Sequence, residues 1–236
     1  MSKPRPLAII TGASRGIGHA TAQAFHDDGW EVVGISRSSC ASFVRHIVAD
    51  LADPDFPAAV GPAVLDAASG AAPLCLVHNA AVLDSDTAVD VDARRFAEVL
   101  QLNVIAAAQL NQLLRPQMRD GSSILYVGST LGTKAVAGVC SYVVSKHAVT
   151  GLMRATCQDL AGSGIHTACV CPGFTDTEML RDRAGNDDAV LESLASGVAF
   201  GRLAEPGEIA AVLRFCADNP VLNGALIDAN LGQIER

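Results

Sequence analysis

Long apolar runs and clusters of like charge are both absent from this chain of 236 residues. No hydrophobic stretch approaches the roughly 20 residues of a membrane-spanning helix. Residues 1–6 lack the apolar stretch and the cleavage site of a signal peptide. The net charge of -8 offers no basic surface of the kind that nucleic acids require. We therefore expect a cytoplasmic protein that binds neither membrane nor nucleic acid.

The cysteine pattern gives no indication of a metal centre. The seven cysteines are odd in number, and no two of them form the Cys-x-x-Cys pair of zinc and redox motifs. Cys169 and Cys171 lie on one face of a predicted strand, but two thiols alone do not make a metal site. We expect buried, reduced thiols, a reducing compartment and no bound metal.

Aromatic residues are scarce at 4%, so the core of a chain that is 50% hydrophobic must come mainly from Ala, Val, Leu and Ile. Short apolar runs alternate with segments of helical periodicity along the whole length. Continuous apolar runs are typical of strands that are covered on both faces of a parallel sheet. The pattern predicts one α/β domain over residues 1–236, with a doubly wound sheet flanked by helices.

The boundaries of these elements follow from the apolar runs and the turn residues between them. The predicted strands are Leu7–Thr11, Glu31–Ser36, Phe43–Val48, Leu74–His78, Ser122–Gly128, Ile165–Cys171 and Ala225–Asp228. The clearest helical segments are Ile17–Asp28, Ala93–Met118, Tyr142–Ala161 and Glu205–Ala217.

Residues 176–201 fit the alternation poorly, because they include a polar run over 181–188. An insertion at the carboxyl edge of a parallel sheet is where a substrate would be covered. We predict a short substrate lid over 176–201, with an ordinary mobile surface loop as the alternative.

A glycine-rich turn, Thr11–Gly18, lies between the first predicted strand and a helix. Glycines allow the backbone to turn tightly and to approach a pyrophosphate, and the helix N-terminus offers free N–H groups to that anion. No Lys follows the last glycine, so the turn is not a P-loop. The residues assigned to a dinucleotide here are Gly12, Ser14, Arg15, Gly16, Ile17 and Gly18.

The end of the second predicted strand indicates which dinucleotide is bound. A free ribose 2′-hydroxyl usually meets Asp or Glu at this point, but no acidic residue occurs between Glu31 and Asp50. Ser36, Arg37 and Ser38 stand there instead, with Arg15 in the glycine-rich turn. Guanidinium groups suit a 2′-phosphate, so we predict NADP(H) over NAD(H).

Two further segments are assigned to the cofactor. Asp50 and Leu51 follow the third predicted strand, where a carboxylate could accept a hydrogen bond from the adenine amino group. Asn79, Ala80 and Ala81 follow the fourth predicted strand and are expected to stabilise the sheet edge near the adenosine ribose.

A serine, a tyrosine and a lysine stand in an order that suits proton transfer. Ser129 follows a predicted strand, and Tyr142 and Lys146 are four residues apart, on one face of a helix. A free phenol holds its proton up to about pH 10, but a neighbouring ammonium favours the phenolate. Tyr142 can then exchange a proton with a carbonyl or alcohol oxygen, while Ser129 donates a hydrogen bond to the same oxygen.

Taken together, these motifs resemble the short-chain dehydrogenase/reductase family over essentially the whole chain. The residues that carry the resemblance are Thr11–Gly18, Asn79-Ala80-Ala81, Asn103, Ser129, Tyr142, Lys146 and Pro172-Gly173. The resemblance implies a Rossmann fold with a seven-stranded parallel sheet. It also implies a homotetramer packed through the helices that contain Asn103 and Tyr142, with a homodimer as the alternative.

The resemblance assigns further roles in the site. It implies that Asn103 completes a catalytic tetrad by helping to hold a water that relays protons through Lys146. Tyr142 and Lys146 also belong to the cofactor site, where Lys146 contacts the nicotinamide ribose. Thr177 is implied to hold the nicotinamide carboxamide. It ends a cofactor-binding segment that includes Pro172, Gly173 and Thr175.

The chain departs from the family pattern at three places. His78 stands where the family has Asn, Ala81 stands where it has Gly, and Asn230-Leu231-Gly232 replaces a C-terminal Asp-Gly-Gly. We interpret His78 as structural.

We predict an NADP(H)-dependent oxidoreductase that interconverts a ketone or aldehyde and an alcohol of small size. The alternatives are an NAD-dependent dehydrogenase of a secondary alcohol or diol and, from another class, a non-catalytic dinucleotide-sensing regulator. The sequence leaves the substrate itself open.

Overall fold

A computed structural model of the chain describes residues 5–234, in which strands and helices alternate. The strands are β1 (Leu7–Thr11), β2 (Glu31–Ser36), β3 (Arg45–Val48), β4 (Leu74–His78), β5 (Ser123–Val127), β6 (His166–Pro172) and β7 (Ala225–Ala229). The α-helices are α1 (Gly16–Asp27), α2 (Phe56–Ala68), α3 (Ala93–Leu100), α4 (Ala106–Leu114), α5 (Cys140–Asp159), α6 (Glu178–Arg183), α7 (Asp188–Ser196) and α8 (Pro206–Asp218).

All seven strands belong to one parallel sheet in the order β3-β2-β1-β4-β5-β6-β7. The order confirms the predicted doubly wound, seven-stranded architecture. The winding reverses between β1 and β4, where Ile9 pairs with Leu76. Ligands of doubly wound folds bind outside the carboxyl ends of the strands at such a reversal.

Alternate residues of each strand supply two separate hydrophobic cores, one on each face of the sheet. Leu7 and Ile9 of β1 face a core that α2, α4 and α5 cover. Ala8 and Ile10 face the opposite core, which α1 and α8 cover. Because both faces are buried, the strands carry the continuous apolar runs that the sequence shows.

The predicted helix Ala93–Met118 is interrupted in the structure. A π-helical segment, Gln101–Ile105, separates α3 from α4, and a short 3-10 turn at Arg115–Gln117 ends the run. The asparagine at the centre of the π-helical segment provides a physical reason, because its side chain is hydrogen-bonded to the chain after β4 and to α5. Wider turns of this kind often occur at functional sites.

Two segments contain helices that are not among the clearest helical segments of the sequence. The segment 176–201, predicted as a short lid with a surface loop as the alternative, contains the two short helices α6 and α7. The side chains of Thr177 and Asp187 cap these helices by accepting hydrogen bonds from Leu180 N and Ala189 N. Helix α2 was not among the predicted helices, because Pro57 and Pro62 interrupt its apolar pattern.

Smaller shifts occur at the ends of elements, as is common for helix and strand boundaries. The third strand begins at Arg45 and not at Phe43, and α5 begins two residues before Tyr142. Within residues 5–234, no helix combines the length and the apolar character needed to cross a membrane.

Candidate active site

The glycine-rich turn between β1 and α1 requires glycine for steric reasons. Gly12 and Gly16 have positive φ angles of 68° and 54°, which disfavour residues with a side chain. A Cβ at Gly12 would lie 3.0 Å from Ala80 Cα, and one at Gly18 would collide with Gly12 O and the Asn79 amide. The turn between β1 and α1 is therefore packed directly against the residues that follow β4.

Hydrogen bonds from the end of β4 hold this turn in place. Thr11 Oγ1 accepts hydrogen bonds from the backbone N–H groups of Asn79 and Ala80 at 2.9 and 3.0 Å. Asn79 Nδ2 donates to Thr11 O and Gly12 O at 3.0 and 3.2 Å. The amide donors of Asn79 thus serve the glycine-rich turn, and its predicted position near the adenosine ribose remains a prediction.

The N-terminus of α1 has the features of an anion site. Its N-cap residue, Arg15, makes no capping hydrogen bond, and the first turn contains no acidic side chain. The first backbone N–H groups of the helix are therefore available to a ligand. A Cβ at Gly16 would lie 3.3 Å from Thr177 Cγ2, so the turn lies beside the start of the predicted lid.

The residues predicted to select the 2′-phosphate lie after the carboxyl ends of β1 and β2, but not all of them face solvent. Arg15, Arg37 and Ser38 are exposed, and within residues 5–234 neither guanidinium forms an ion pair. Ser36 is buried, and its hydroxyl donates to Ser38 O at 2.8 Å and lies 3.1 Å from His46 Nε2. Ser36 therefore supports the turn, while the two arginines remain free to meet a ligand.

The residues after β3 include one exposed carboxylate. Asp50 is exposed and accepts a hydrogen bond from Ala52 N at 3.0 Å, and Leu51 is buried in the core beside it. The adenine contact predicted for Asp50 remains a prediction.

Tyr142 and Lys146 lie one turn apart in α5, as their spacing predicts. Both are buried, with 9% and 3% of their surfaces exposed. Lys146 Nζ lies 5.3 Å from the centre of the Tyr142 ring and donates a hydrogen bond to Val127 O at 2.9 Å. The ammonium is thus held between the tyrosine and the carboxyl end of β5.

Ser129 lies just beyond β5 in extended conformation and is buried. Its Oγ accepts a hydrogen bond from Leu131 N at 3.1 Å, which begins a 3-10 turn over Thr130–Gly132. A Cβ at Gly132 would lie 2.8 Å from Thr150 Oγ1, so this turn is packed tightly against α5. The packing brings the serine segment to the helix that carries Tyr142.

Asn103 is buried at the centre of the π-helical segment. Its Oδ1 accepts a hydrogen bond from Val82 N at 2.9 Å, and its Nδ2 donates to Val82 O at 3.0 Å and to Ser145 Oγ at 2.9 Å. Asn103 therefore connects the chain after β4 to the residue that precedes Lys146.

The segment after β6 leads to α6. A Cβ at Gly173 would lie 2.7 Å from the Cβ of Asn230, so the backbone needs glycine there to pass the C-terminal segment. Thr175 pairs with Ala204 in an isolated bridge, and Thr177 caps α6. The segment Pro172–Thr177 thus runs from the sheet edge to the glycine-rich turn.

An arginine contact that the sequence analysis did not predict joins α6 to two loops beside the site. Arg183, at the end of α6, donates hydrogen bonds to Ser85 Oγ and to Gly138 O. Ser85 follows β4, and Gly138 precedes the helix that carries Tyr142. Arg183 therefore anchors the end of α6 to the loop after β4 and to the loop before α5.

His78, at the end of β4, belongs to a buried polar network. Its Nε2 lies 2.8 Å from Asn111 Oδ1, and its ring packs against Tyr126 with centroids 4.9 Å apart. Burial lowers the pKa of His78 to about 4, and burial raises the pKa of Tyr126. The structural role predicted for His78 is consistent with these contacts but does not account for its second ring nitrogen.

Cys169 and Cys171 lie on one face of β6, with their sulfur atoms 3.8 Å apart. The hydrogen bond between them raises the pKa of Cys169 and lowers the pKa of Cys171. Within residues 5–234, no group of three or more potential metal ligands occurs around them or elsewhere.

Comparison with known proteins gives consistent matches to one family. A family model described as Enoyl-(Acyl carrier protein) reductase matches residues 12–232. The 3-oxoacyl-[acyl-carrier-protein] reductase FabG of Vibrio cholerae serotype O1 is 31% identical, and the alignment covers 89% of this chain and 89% of that protein. Protein FixR of Bradyrhizobium diazoefficiens is 33% identical, with 96% of this chain and 86% of FixR covered.

A solved structure also matches closely. The crystal structure of a short chain dehydrogenase family protein from Francisella tularensis superposes with a TM-score of 0.88 at 25% identity, covering 97% of this chain and 98% of that one. The chain therefore belongs to the short-chain dehydrogenase/reductase family of oxidoreductases, as its motifs predicted.

The packing of the glycine-rich turn leads to a stability prediction with an opposite control. We expect Gly18→Ala to lower the free energy of unfolding by about 1–3 kcal/mol, because the new methyl group overlaps Gly12 O and Asn79. Gly207→Ala, in the exposed first turn of α8, meets no atom within 4 Å. It should raise that free energy by about 0.5–1 kcal/mol. Urea unfolding of both variants measures the difference, and equal stability of the two would contradict the packing argument.

Proposed function

We propose that this protein is an NADP(H)-dependent oxidoreductase that interconverts a carbonyl group and an alcohol, with Tyr142 as general acid and base. The observation that carries the proposal is the burial of Lys146 beside the Tyr142 ring, at the carboxyl ends of the strands. A buried ammonium is costly to keep in a protein interior, and next to a phenol it is well suited to proton exchange.

The residues of the cleft fit a dinucleotide. Gly12, Gly16 and Gly18 let the turn pack closely against the residues after β4 and against Thr177, and the uncapped N-terminus of α1 suits a pyrophosphate. Lys146 and the segment Pro172–Thr177 would hold the nicotinamide half. When bound, the nicotinamide supplies or accepts a hydride.

Proton transfer is assigned to the chain itself. In carbonyl reduction, the Tyr142 hydroxyl donates its proton to the substrate oxygen, and in alcohol oxidation the phenolate takes that proton back. The Lys146 ammonium favours the phenolate. The Ser129 hydroxyl donates a hydrogen bond to the same substrate oxygen and orients it. Burial of all three side chains excludes bulk water from the exchange.

The preference for NADP(H) rests on charge. Arg15 and Arg37 are exposed and free of ion pairs within residues 5–234, and no carboxylate follows β2 before Asp50. Their guanidinium groups can form charge-assisted hydrogen bonds with a 2′-phosphate.

We propose that the substrate is a small carbonyl compound with an apolar part, admitted beneath the lid of α6 and α7. The relative FabG is named for the reduction of a 3-oxoacyl group on a carrier protein. A 3-oxoacyl thioester therefore belongs in any substrate panel, beside simple ketones, aldehydes and secondary alcohols.

We also propose assembly into a homotetramer. Ile105 of the π-helical segment and Val144 of α5 are large apolar residues that remain exposed by 46% and 41%. They lie on the two helices through which the family resemblance implies subunit packing.

Removal of the Tyr142 hydroxyl tests the mechanism. We expect Tyr142→Phe to lower kcat/KM for carbonyl reduction by about 10²–10⁴-fold, since the general acid is lost. Binding of NADPH, measured by its fluorescence, should stay at the wild-type level. Arg45→Ala is a suitable control, because Arg45 is exposed at the start of β3 and pairs with Asp66. Full activity of the Tyr142→Phe variant would contradict the proposed proton transfer.

Cofactor choice is tested by the ratio of kcat/KM for NADPH to that for NADH. We expect a wild-type ratio above one, and we expect Arg37→Ala to lower it by about 10-fold or more, because a charge-assisted hydrogen bond is lost. Arg119→Ala is the control. Arg119 precedes β5, so it lies at the amino ends of the strands, opposite to the predicted cofactor site, and it donates to Pro116 O. A wild-type ratio below one would reject NADP(H) as the preferred cofactor.

A further inference from the structure

A small cavity lies on the inner side of Lys146, between the sheet and helices α4 and α5. Its volume is about 10 Å³, which is the space that one water molecule needs. The polar side chains in its lining are Thr11, His78, Asn103, Tyr126 and Lys146. A buried water also needs two or more polar partners, so the question is which of these atoms are free.

Three of the five side chains are already engaged. Thr11 Oγ1 donates to Val77 O and accepts from two backbone N–H groups. Asn103 uses both amide hydrogens and its oxygen on other partners. The Tyr126 hydroxyl lies within hydrogen-bond distance of Asn111 Nδ2 and Thr156 Oγ1. His78 and Lys146 remain.

The directions of the hydrogen bonds around Tyr126 decide the tautomer of His78. Thr156 Oγ1 donates to Leu152 O at 2.8 Å, so it accepts from the Tyr126 hydroxyl at 3.0 Å. Tyr126 in turn accepts from Asn111 Nδ2 at 2.7 Å, which turns Asn111 Oδ1 toward His78. His78 Nε2 must therefore carry the hydrogen, and His78 Nδ1 presents a bare lone pair.

His78 Nδ1 is buried and has no hydrogen-bond partner within residues 5–234. The residue is 8% exposed, so bulk water does not satisfy this atom. Burial lowers the pKa of the ring to about 4, and the lone pair therefore stays available at neutral and alkaline pH. An unsatisfied buried acceptor is costly, which favours an ordered water beside it.

Lys146 supplies the complementary donor. An ammonium group has three hydrogens, and Lys146 uses one of them on Val127 O. A water in the cavity can accept a second one and donate its own hydrogen to His78 Nδ1.

We propose that one buried water joins Lys146 Nζ to His78 Nδ1, and that His78 is a positioning residue for the catalytic lysine. This inference rests on the proposed function of Tyr142 and Lys146. In this arrangement the neutral imidazole stabilises the ammonium form of Lys146 through the water. The ammonium then stabilises the Tyr142 phenolate, which the enzyme needs for alcohol oxidation.

Other titratable groups around this unit are few. Tyr126 of β5 faces the His78 ring, and Lys146 faces the cavity from α5. Tyr142, Cys169 and Cys171 face Lys146 from its other sides. None of these is removed in the variants described next, so a change in pH dependence can be assigned to His78.

Two amide substitutions distinguish the role of His78 Nε2 from that of His78 Nδ1. The Gln amide atoms lie one bond farther from the backbone than those of Asn. His78→Gln therefore preserves the hydrogen bond to Asn111 and removes the acceptor at Nδ1. His78→Asn loses the bond to Asn111 but places an amide oxygen where Nδ1 lies. A purely structural role and a positioning role predict opposite rankings of these variants.

The experiment measures kcat/KM for oxidation of a secondary alcohol with NADP⁺ between pH 6 and pH 10, together with thermal unfolding. We expect His78→Gln to keep nearly wild-type Tm while the pH midpoint of its activity rises by about one unit, a tenfold loss near neutral pH. We expect His78→Asn to lose Tm and keep the wild-type midpoint. The inference is wrong if the pH midpoint of His78→Gln equals that of the wild type. It is also wrong if the pH midpoint shifts only in the variant that has a lower Tm.

A second measurement does not depend on turnover. A high-resolution crystal structure of the wild-type protein should show a water within hydrogen-bond distance of both His78 Nδ1 and Lys146 Nζ, and His78→Gln should lack it. A wild-type structure without that water would overturn the inference even if the enzyme is active. An inactive wild-type enzyme whose cavity holds the water would instead contradict the proposed function.

Discussion

The rest of the site depends on the burial of one positive charge, the ammonium group of Lys146. A buried charge is costly unless hydrogen bonds and polar partners surround it. The carbonyl of Val127 takes one of its hydrogens, and the ring of Tyr142 lies against it. Every element that meets at this point, from β5 to the π-helical segment, contributes to holding α5 so that the ammonium stays there.

The glycine-rich turn allows a close approach of two backbone segments in the same region of the sheet. Its backbone lies so close to Asn79 and Ala80 that the end of β1 and the end of β4 form one unit. The N-terminus of α1 is thereby fixed beside Thr177 at the reversal of the sheet. An uncapped helix N-terminus and a buried ammonium then lie at the carboxyl edge of the same sheet, which is the arrangement that a dinucleotide-dependent oxidoreductase needs.

The strands and the pairing of Tyr142 with Lys146 could be predicted, because apolar runs and i,i+4 spacing are local properties. The π-helical turn could not, since it depends on contacts of Asn103 with Val82 and Ser145, which are 21 and 42 residues away in sequence. The same holds for Arg183 and for the free nitrogen of His78, whose tautomer depends on bonds that pass through α4, β5 and α5. Helices α6 and α7 have local signs in their capping residues Thr177 and Asp187, but the polar run over 181–188 hides the apolar periodicity by which a helix is predicted.

The central claim is that Lys146 and its neighbours organise hydride transfer between a nicotinamide and a carbonyl carbon. The most direct measurement follows deuterium from NADPH that is labelled at the transferable C4 position, using mass spectrometry of the alcohol product. The account predicts one deuterium on the carbinol carbon with the wild-type enzyme and almost none with Lys146→Met. Equal labelling by both proteins, or unlabelled alcohol from the wild type, would contradict it.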